Sequence, residues 1–258
     1  MRRITWFLLF VFASAYLFAV EGELREPVSK TDFMKSYRKA TGWFSSTQKF
    51  SVSVAYASYK DHSSLTPFER SSGVYMKDGK KVMTNIMGIK TVENENVRFS
   101  VDTTDRIIII TNRQDQDAAI ISMEAFESML DQVKALRMQK LPSGAATYFI
   151  EFKPDALYAM LEITLNEKGL LEKETFYYAT EMKEETDEAD QYGNVSKSST
   201  SSKPRLEISF SNYQTQLREE HTREFSELRY FSQAGKKIIL TERYKTYKIK
   251  DYRFDLKK

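Results

Sequence analysis

From Lys49 onward apolar residues occupy every second position: Phe50, Val52, Val54 and Tyr56 alternate with Ser51, Ser53, Ala55 and Ala57. A side-chain period of two is that of a β-strand with one buried face and one wetted face. The pattern returns at Val97, Phe99 and Val101, at Tyr148, Ile150 and Phe152, and at Leu161, Ile163 and Leu165. It appears once more where Leu206, Ile208 and Phe210 oppose Glu207, Ser209 and Ser211. A chain built this way forms a large sheet whose apolar face needs a second layer over it.

Turn residues punctuate these runs. Gly73 to Lys77 leads into Asp78-Gly79, a hairpin signal. Lys81 to Met87 returns, and Ile89 to Glu93 is read as its bent continuation past Gly88. Asp102-Thr103-Thr104-Asp105 turns into Ile107-Ile108-Ile109-Ile110, whose unbroken apolar run predicts a strand covered on both faces. Asn166-Glu167-Lys168-Gly169 connects Leu165 to a strand within Leu170–Ala179, and Lys237–Leu240 with Tyr244–Tyr252 forms a closing pair. Short turns between neighbouring runs imply an antiparallel meander.

The period changes to that of a helix in two places. Phe33, Tyr37, Ala40 and Phe44 recur at helical spacing over Thr31–Phe44, with Thr31 as the cap. Ser122–Leu136 carries the stripe Met123, Phe126, Leu130 and Val133, with Ser122 placed to cap it. Between the later strands, 181–203 is acidic and then rich in Ser and Thr, with almost no apolar residue, and reads as a mobile inserted loop. Asn194-Val195-Ser196 within it fits the glycosylation pattern.

The chain opens Met1-Arg2-Arg3, followed by an apolar run from Ile4 to Val20. A basic start and apolar stretch form a secretory signal, with Ala13-Ser14-Ala15 and Val20-Glu21-Gly22 both fitting the cleavage rule. The run continues past Ala15, which favours a 1–22 signal peptide and export of 23–258 as a single soluble domain. Kept uncleaved, a run of about 17 residues is at the short end of what spans a bilayer.

Composition narrows the chemistry. There is no Cys, hence no disulfide, thiolate nucleophile or Cys-ligated metal. His62 and His221 are the only histidines and stand in polar stretches, and no GxGxxG, Walker, HExxH or GxSxG pattern occurs. The expectation is a protein that is not an enzyme and uses no cofactor or metal. A formal net charge of +3, which falls when Arg2, Arg3 and Glu21 are removed, gives no general case for nucleic acid. The nine basic residues among 235–258, interleaved with Tyr244, Tyr247 and Tyr252, read as the solvated Lys face of a hairpin.

Helix, long alternating strand, meander, amphipathic helix and second meander, in an exported chain, resemble the LolA-like periplasmic carrier proteins. The likeness runs from Phe50-Ser51-Val52-Ser53-Val54 through Gly73-Val74-Tyr75-Met76-Lys77, Phe99-Ser100-Val101-Asp102 and Ile107–Ile110, and returns at Leu206–Tyr213. That family's Pro-x-x-x-x-Trp segment is absent from Lys77 to Asn85, and its Asp-Gly turn is replaced by Glu93-Asn94-Glu95-Asn96, so the resemblance is to a distant member.

The resemblance implies an α+β fold: a strongly curved antiparallel β-sheet, an unclosed half-barrel, with helices covering the concave face. It also implies a lipid or acylated lipoprotein as partner, with membrane-associated donor and acceptor proteins and a role in outer-membrane lipoprotein sorting. Two helices are few for so broad a sheet, and an incompletely roofed face leaves an apolar cavity. Its expected lining from the strands is Phe50, Val52, Val54, Tyr56, Phe99, Val101, Tyr148, Ile150, Phe152, Ile163, Leu206, Ile208 and Phe210. Met123, Phe126, Leu130 and Val133 are expected to line it from the lid, where flexible Met suits variable acyl chains. The alternative is an exported interaction or sensor module whose interior is filled by these same side chains.

Overall fold

The computed structural model describes residues 25–113, 123–189, 195–235 and 237–253; the predicted signal segment lies outside them. Strand β1 (Glu26–Pro27) precedes helix α1 (Lys30–Ser46). Then come β2 (Lys49–Tyr59), β3 (Glu69–Asp78), β4 (Lys81–Ile86), β5 (Ile89–Glu93), β6 (Arg98–Asp102) and β7 (Ile107–Thr111). Helix α2 (Met123–Leu130) leads into β8 (Val133–Lys140), β9 (Ala146–Phe152), β10 (Tyr158–Leu165) and β11 (Leu171–Tyr178). A hairpin of β12 (Met182–Ala189) and β13 (Val195–Ser202) precedes β14 (Arg205–Gln214). The remaining elements are α3 (Glu219–Arg223), β15 (Phe231–Ala234), β16 (Lys237–Leu240) and β17 (Lys248–Asp251).

Among the described residues thirteen strands make one sheet in the order β1-β8-β9-β10-β11-β14-β2-β3-β4-β5-β6-β7-β17. The fold is α+β, with a large, curved, unclosed sheet. It consists of two meanders sewn together where β14 pairs with β2, from Arg205 opposite Tyr59 to Ser211 opposite Ser53.

Helix α1 forms where the spacing predicts it, burying Phe33, Tyr37, Ala40 and Phe44. Its cap is Ser29 rather than Thr31: the Ser29 hydroxyl accepts the Asp32 N–H at 3.0 Å, an oxygen satisfying a donor of the first turn.

Further expectations are corrected. The second helix stops at Leu130, and Val133 lies on β8, paired with Phe152. After Asp131-Gln132 the apolar positions no longer keep a helical face, and a strand pairing to β9 uses them instead. The chain does not continue straight through Gly88. Met87 and Gly88 both have positive φ (53° and 77°), the backbone of a two-residue hairpin turn, so β5 folds back on β4 with Thr84 opposite Thr91.

The 181–203 stretch is not a loop: β12 and β13 pair in register from Met182–Ser202 to Ala189–Val195, and Asn194 lies outside the described residues. Backbone pairing needs no apolar side chain, which is why composition did not reveal it. The C-terminal runs do not pair with each other. β16 pairs with β15, and β17 joins the large sheet parallel to β7. Finally, Ile108 and Ile110 are fully buried while Ile107 and Ile109 are half-buried, so β7 is not covered equally on both faces.

Two cores result. Adjacent residues Tyr75 and Met76 belong to different ones, and neighbours along a strand point to opposite faces, so the cores lie on opposite sides of the sheet. The first sits under α1 and α2. The second joins Met76, Met83, Val92, Phe99, Ile108 and Ile110 to the C-terminal segment, whose Tyr230 and Phe231 rings meet Phe99 at 4.8 and 5.3 Å. Within the basic C-terminal stretch Lys237, Lys245, Lys248 and Lys250 are exposed, as a solvated Lys face requires, while Tyr244 is buried and, with Tyr230 and Phe231, roofs the second core.

Candidate functional site

The expected cavity residues divide between the two faces. Phe99 and Val101 belong to the second core, away from both helices. Phe50, Val52, Val54, Tyr148, Ile150, Phe152, Ile163 and Phe210 are buried on the helix-bearing face together with Phe126 and Leu130. Tyr56, Met123, Val133 and Ile208 pack partly buried at the margin of that group, and Leu206 is half-buried opposite Phe176. Aromatic rings knit this core: Phe33 meets Tyr148 at 5.1 Å, and Trp43, Phe44 and Tyr75 surround Phe50 at 4.7 to 5.7 Å.

At the end of α2 the packing opens. A groove of about 310 Å³ is lined by Ser128, Met129, Gln132, Phe152, Ala156, Leu157 and Tyr158. That is at the small end of ligand pockets. Its walls are set by backbone bonds: Lys153 N–H donates to Gln132 O at 2.9 Å, Ala156 N–H to Lys153 O at 3.1 Å, and Ala179 N–H to Leu157 O at 3.0 Å. Leu157 is 59% exposed at the rim. From the groove an aromatic wall continues along the sheet, Tyr158 meeting Phe176 at 5.3 Å and Tyr178 at 5.1 Å.

Of the residues forming this groove, the alternation singled out Phe152 alone. Leu157 and Tyr158 follow the Pro154-Asp155 turn, and nothing in a turn pattern says which apolar residue the tertiary structure leaves uncovered.

On the same face lies a charge-bearing group that periodicity did not flag. Glu174 shares its side of β11 with Phe176 and is 1% exposed. Its Oε1 accepts the Tyr37 hydroxyl at 3.1 Å, and its Oε2 has no partner. Burial raises its carboxyl to about 7, with the Tyr37 bond opposing that shift. Burial and the nearby carboxyl together raise the phenols of Tyr37, Tyr56 and Tyr213.

The opposite side of these strands is polar. Arg205 lies over the Tyr59 ring at 3.9 Å and donates to His62 O at 2.5 Å and Ser64 O at 3.0 Å, pinning the loop between β2 and β3. His62 is thereby part of a loop anchor, its Nε2 3.0 Å from Tyr178 O. Leu65, 93% exposed, tips that loop. His221 lies on α3, where its Nδ1 has no hydrogen-bond partner. Among the described residues no group of three or more His, Asp or Glu is placed to hold a metal ion, and no helix is long and apolar enough to cross a membrane.

No family model matches the chain, and no curated protein matches it. Two solved structures overlay on it loosely. A DUF1329 family protein from Desulfovibrio piger is 12% identical, with 73% of this chain and 92% of that one covered at a TM-score of 0.27. A domain from Vibrio parahaemolyticus, named for outer membrane lipoprotein sorting, is 10% identical, with 74% and 96% covered at a TM-score of 0.20.

Proposed function

We propose that the chain is an envelope carrier that shields an acyl chain of a lipid or lipoprotein, and that it acts by binding rather than by catalysis. The observation that carries this reading is the open groove lined by Met129, Phe152, Ala156, Leu157 and Tyr158, continuous with the Phe176 and Tyr178 rings. The reading takes the face under α1 and α2 as the concave one. Eight methylenes leaving water for such a surface contribute about 6 kcal/mol, enough for reversible holding without any charged contact. Met129 adapts its unbranched side chain to differing cargo. Export to the periplasm, cleavage of the 1–22 segment, a monomeric state and membrane-associated donor and acceptor proteins complete the proposal.

The close packing of Phe33, Phe50, Tyr148 and Phe126 favours a second reading, an exported interaction module with a filled interior. Solvent extraction of the purified protein, with displacement of an apolar fluorescent probe by a fatty acid, separates the two. The carrier yields lipid or binds the probe, and Leu157→Asp, at an exposed position, weakens probe binding at least fivefold without changing stability. A lipid-free protein that leaves the probe in water overturns the carrier and selects the module.

A further inference from the structure

Glu174 lies at the centre of a row crossing five strands: Tyr148 on β9, Ile163 on β10, Glu174 on β11, Ile208 on β14 and Tyr56 on β2. It is a carboxyl inside an otherwise apolar and aromatic layer. The bond from the Tyr37 hydroxyl runs from the middle of α1 to the sheet beneath it, while Oε2 is buried with no partner. The titratable groups facing Glu174 are Tyr37 from α1, Tyr56 from β2 and Tyr213 from β14, and no cation contributes to its titration.

We propose that Glu174 is a proton-operated latch for α1: neutral, it stays buried beneath the seated helix, and ionised, it carries a burial cost that the Tyr37 bond only partly offsets, so the helix lifts and water enters the row between Tyr148 and Tyr56. In the closed form a neutral carboxyl leaves one polar group unmet. A carboxylate in the same place leaves a charge with a single hydrogen bond, which costs several times more. Hydration of the carboxylate when the helix lifts removes that cost.

The far end of α1 is held independently, since Lys77 Nζ donates to the Phe44 and Ser45 carbonyls at 3.1 and 2.7 Å. Motion is therefore confined to the part of α1 around Tyr37. Phe126 moves with it, its ring stacked on Tyr37 and Lys30 bonded to Leu130 O at 2.7 Å. The latch does not depend on the chain carrying lipid.

Hydrogen exchange of the 30–46 backbone, corrected for intrinsic rates and read by mass spectrometry at pH 5.5 and 8.5, tests it. With the carboxyl at about 7 in the closed form and 4.5 in the open form, opening of α1 rises roughly thirtyfold between these pH values. Glu174→Gln and Glu174→Leu, both uncharged, show equal protection at the two pH values. Tyr37→Phe, which removes the bond favouring the carboxylate, moves the midpoint of the transition to higher pH. Equal protection of the unmutated protein at both pH values overturns the latch. So does a pH response that survives in the uncharged variants, or a midpoint unmoved by Tyr37→Phe.

Discussion

The Tyr37 and Phe126 rings are stacked at 4.2 Å with their planes 21° apart. Tyr37 is fully buried and Phe126 is 3% exposed, and this contact, with Phe33 against Phe126, Arg38 paired to Glu127 and Lys30 bonded to Leu130 O, joins the long first helix to the short second one above the sheet. Helix α2 has only eight residues, too few to be stable by its own backbone bonding. Phe126 and Leu130 are its buried anchors. Phe126→Ala is expected to lower unfolding free energy by about 3–5 kcal/mol, as loss of a buried ring does, and Phe126→Leu by much less. Urea unfolding followed by circular dichroism measures both.

The global stability also carries the mark of Glu174. Its carboxyl is raised in the folded protein to about 7 from 4.5, so the folded state binds the proton more tightly than the unfolded chain. The stabilisation is complete below pH 4.5 and is lost as pH rises towards 7. Glu174→Gln is expected to flatten this fall, which urea midpoints at intervals from pH 4.5 to 8 would show. A steeper fall in the variant would be the wrong sign.

Leu130 and Leu157 separate structure from surface. Leu130 is 4% exposed inside the first core, whereas Leu157 is 59% exposed on the groove rim. Leu130→Asp places an unpaired charge among apolar side chains and is expected to unfold the protein. Leu157→Asp leaves the melting temperature within about 2 °C, because exposed substitutions rarely exceed ±0.5 kcal/mol. Thermal melts of the two variants side by side are the check.

Gly73 lies on β3 beside the β4 backbone. A Cβ there would stand 1.9 Å from the Asn85 carbonyl oxygen, a backbone atom that cannot rotate away. Gly73→Ala is expected to break the pairing near Val74 and Asn85 and to cost more than 3 kcal/mol, far above the few tenths that an unobstructed strand position shows. Equilibrium unfolding gives the value directly.

Most strands were legible in the sequence, and the residues explain why. Phe50, Val52 and Val54 alternate with small polar residues over a long run, and Asp78-Gly79 announces the reversal that the ladder confirms with Asp78 opposite Lys81. Helix α1 was legible too, because Phe33, Tyr37, Ala40 and Phe44 keep helical spacing without interruption. The second helix was overread: Leu130 and Val133 are three apart, which suits a helix, yet Val133 also suits a strand, and only the presence of β9 decides. The hairpin of β12 and β13 was not legible because the stretch has almost no apolar residue to alternate, and pairing of two backbones leaves no mark in composition.

By itself the sequence determined an alternating, mostly antiparallel sheet and an amphipathic helix to lie on it, since periodicity is a local property that each segment carries alone. Tertiary structure decided which face each apolar residue meets, so Phe99 and Phe50, identical in pattern, lie in different cores. It also decided that Glu174 is buried under Tyr37 and that the packing stops short of Leu157. These outcomes depend on residues more than a hundred positions apart being pressed together, and no local pattern encodes which surface is covered and which is left open.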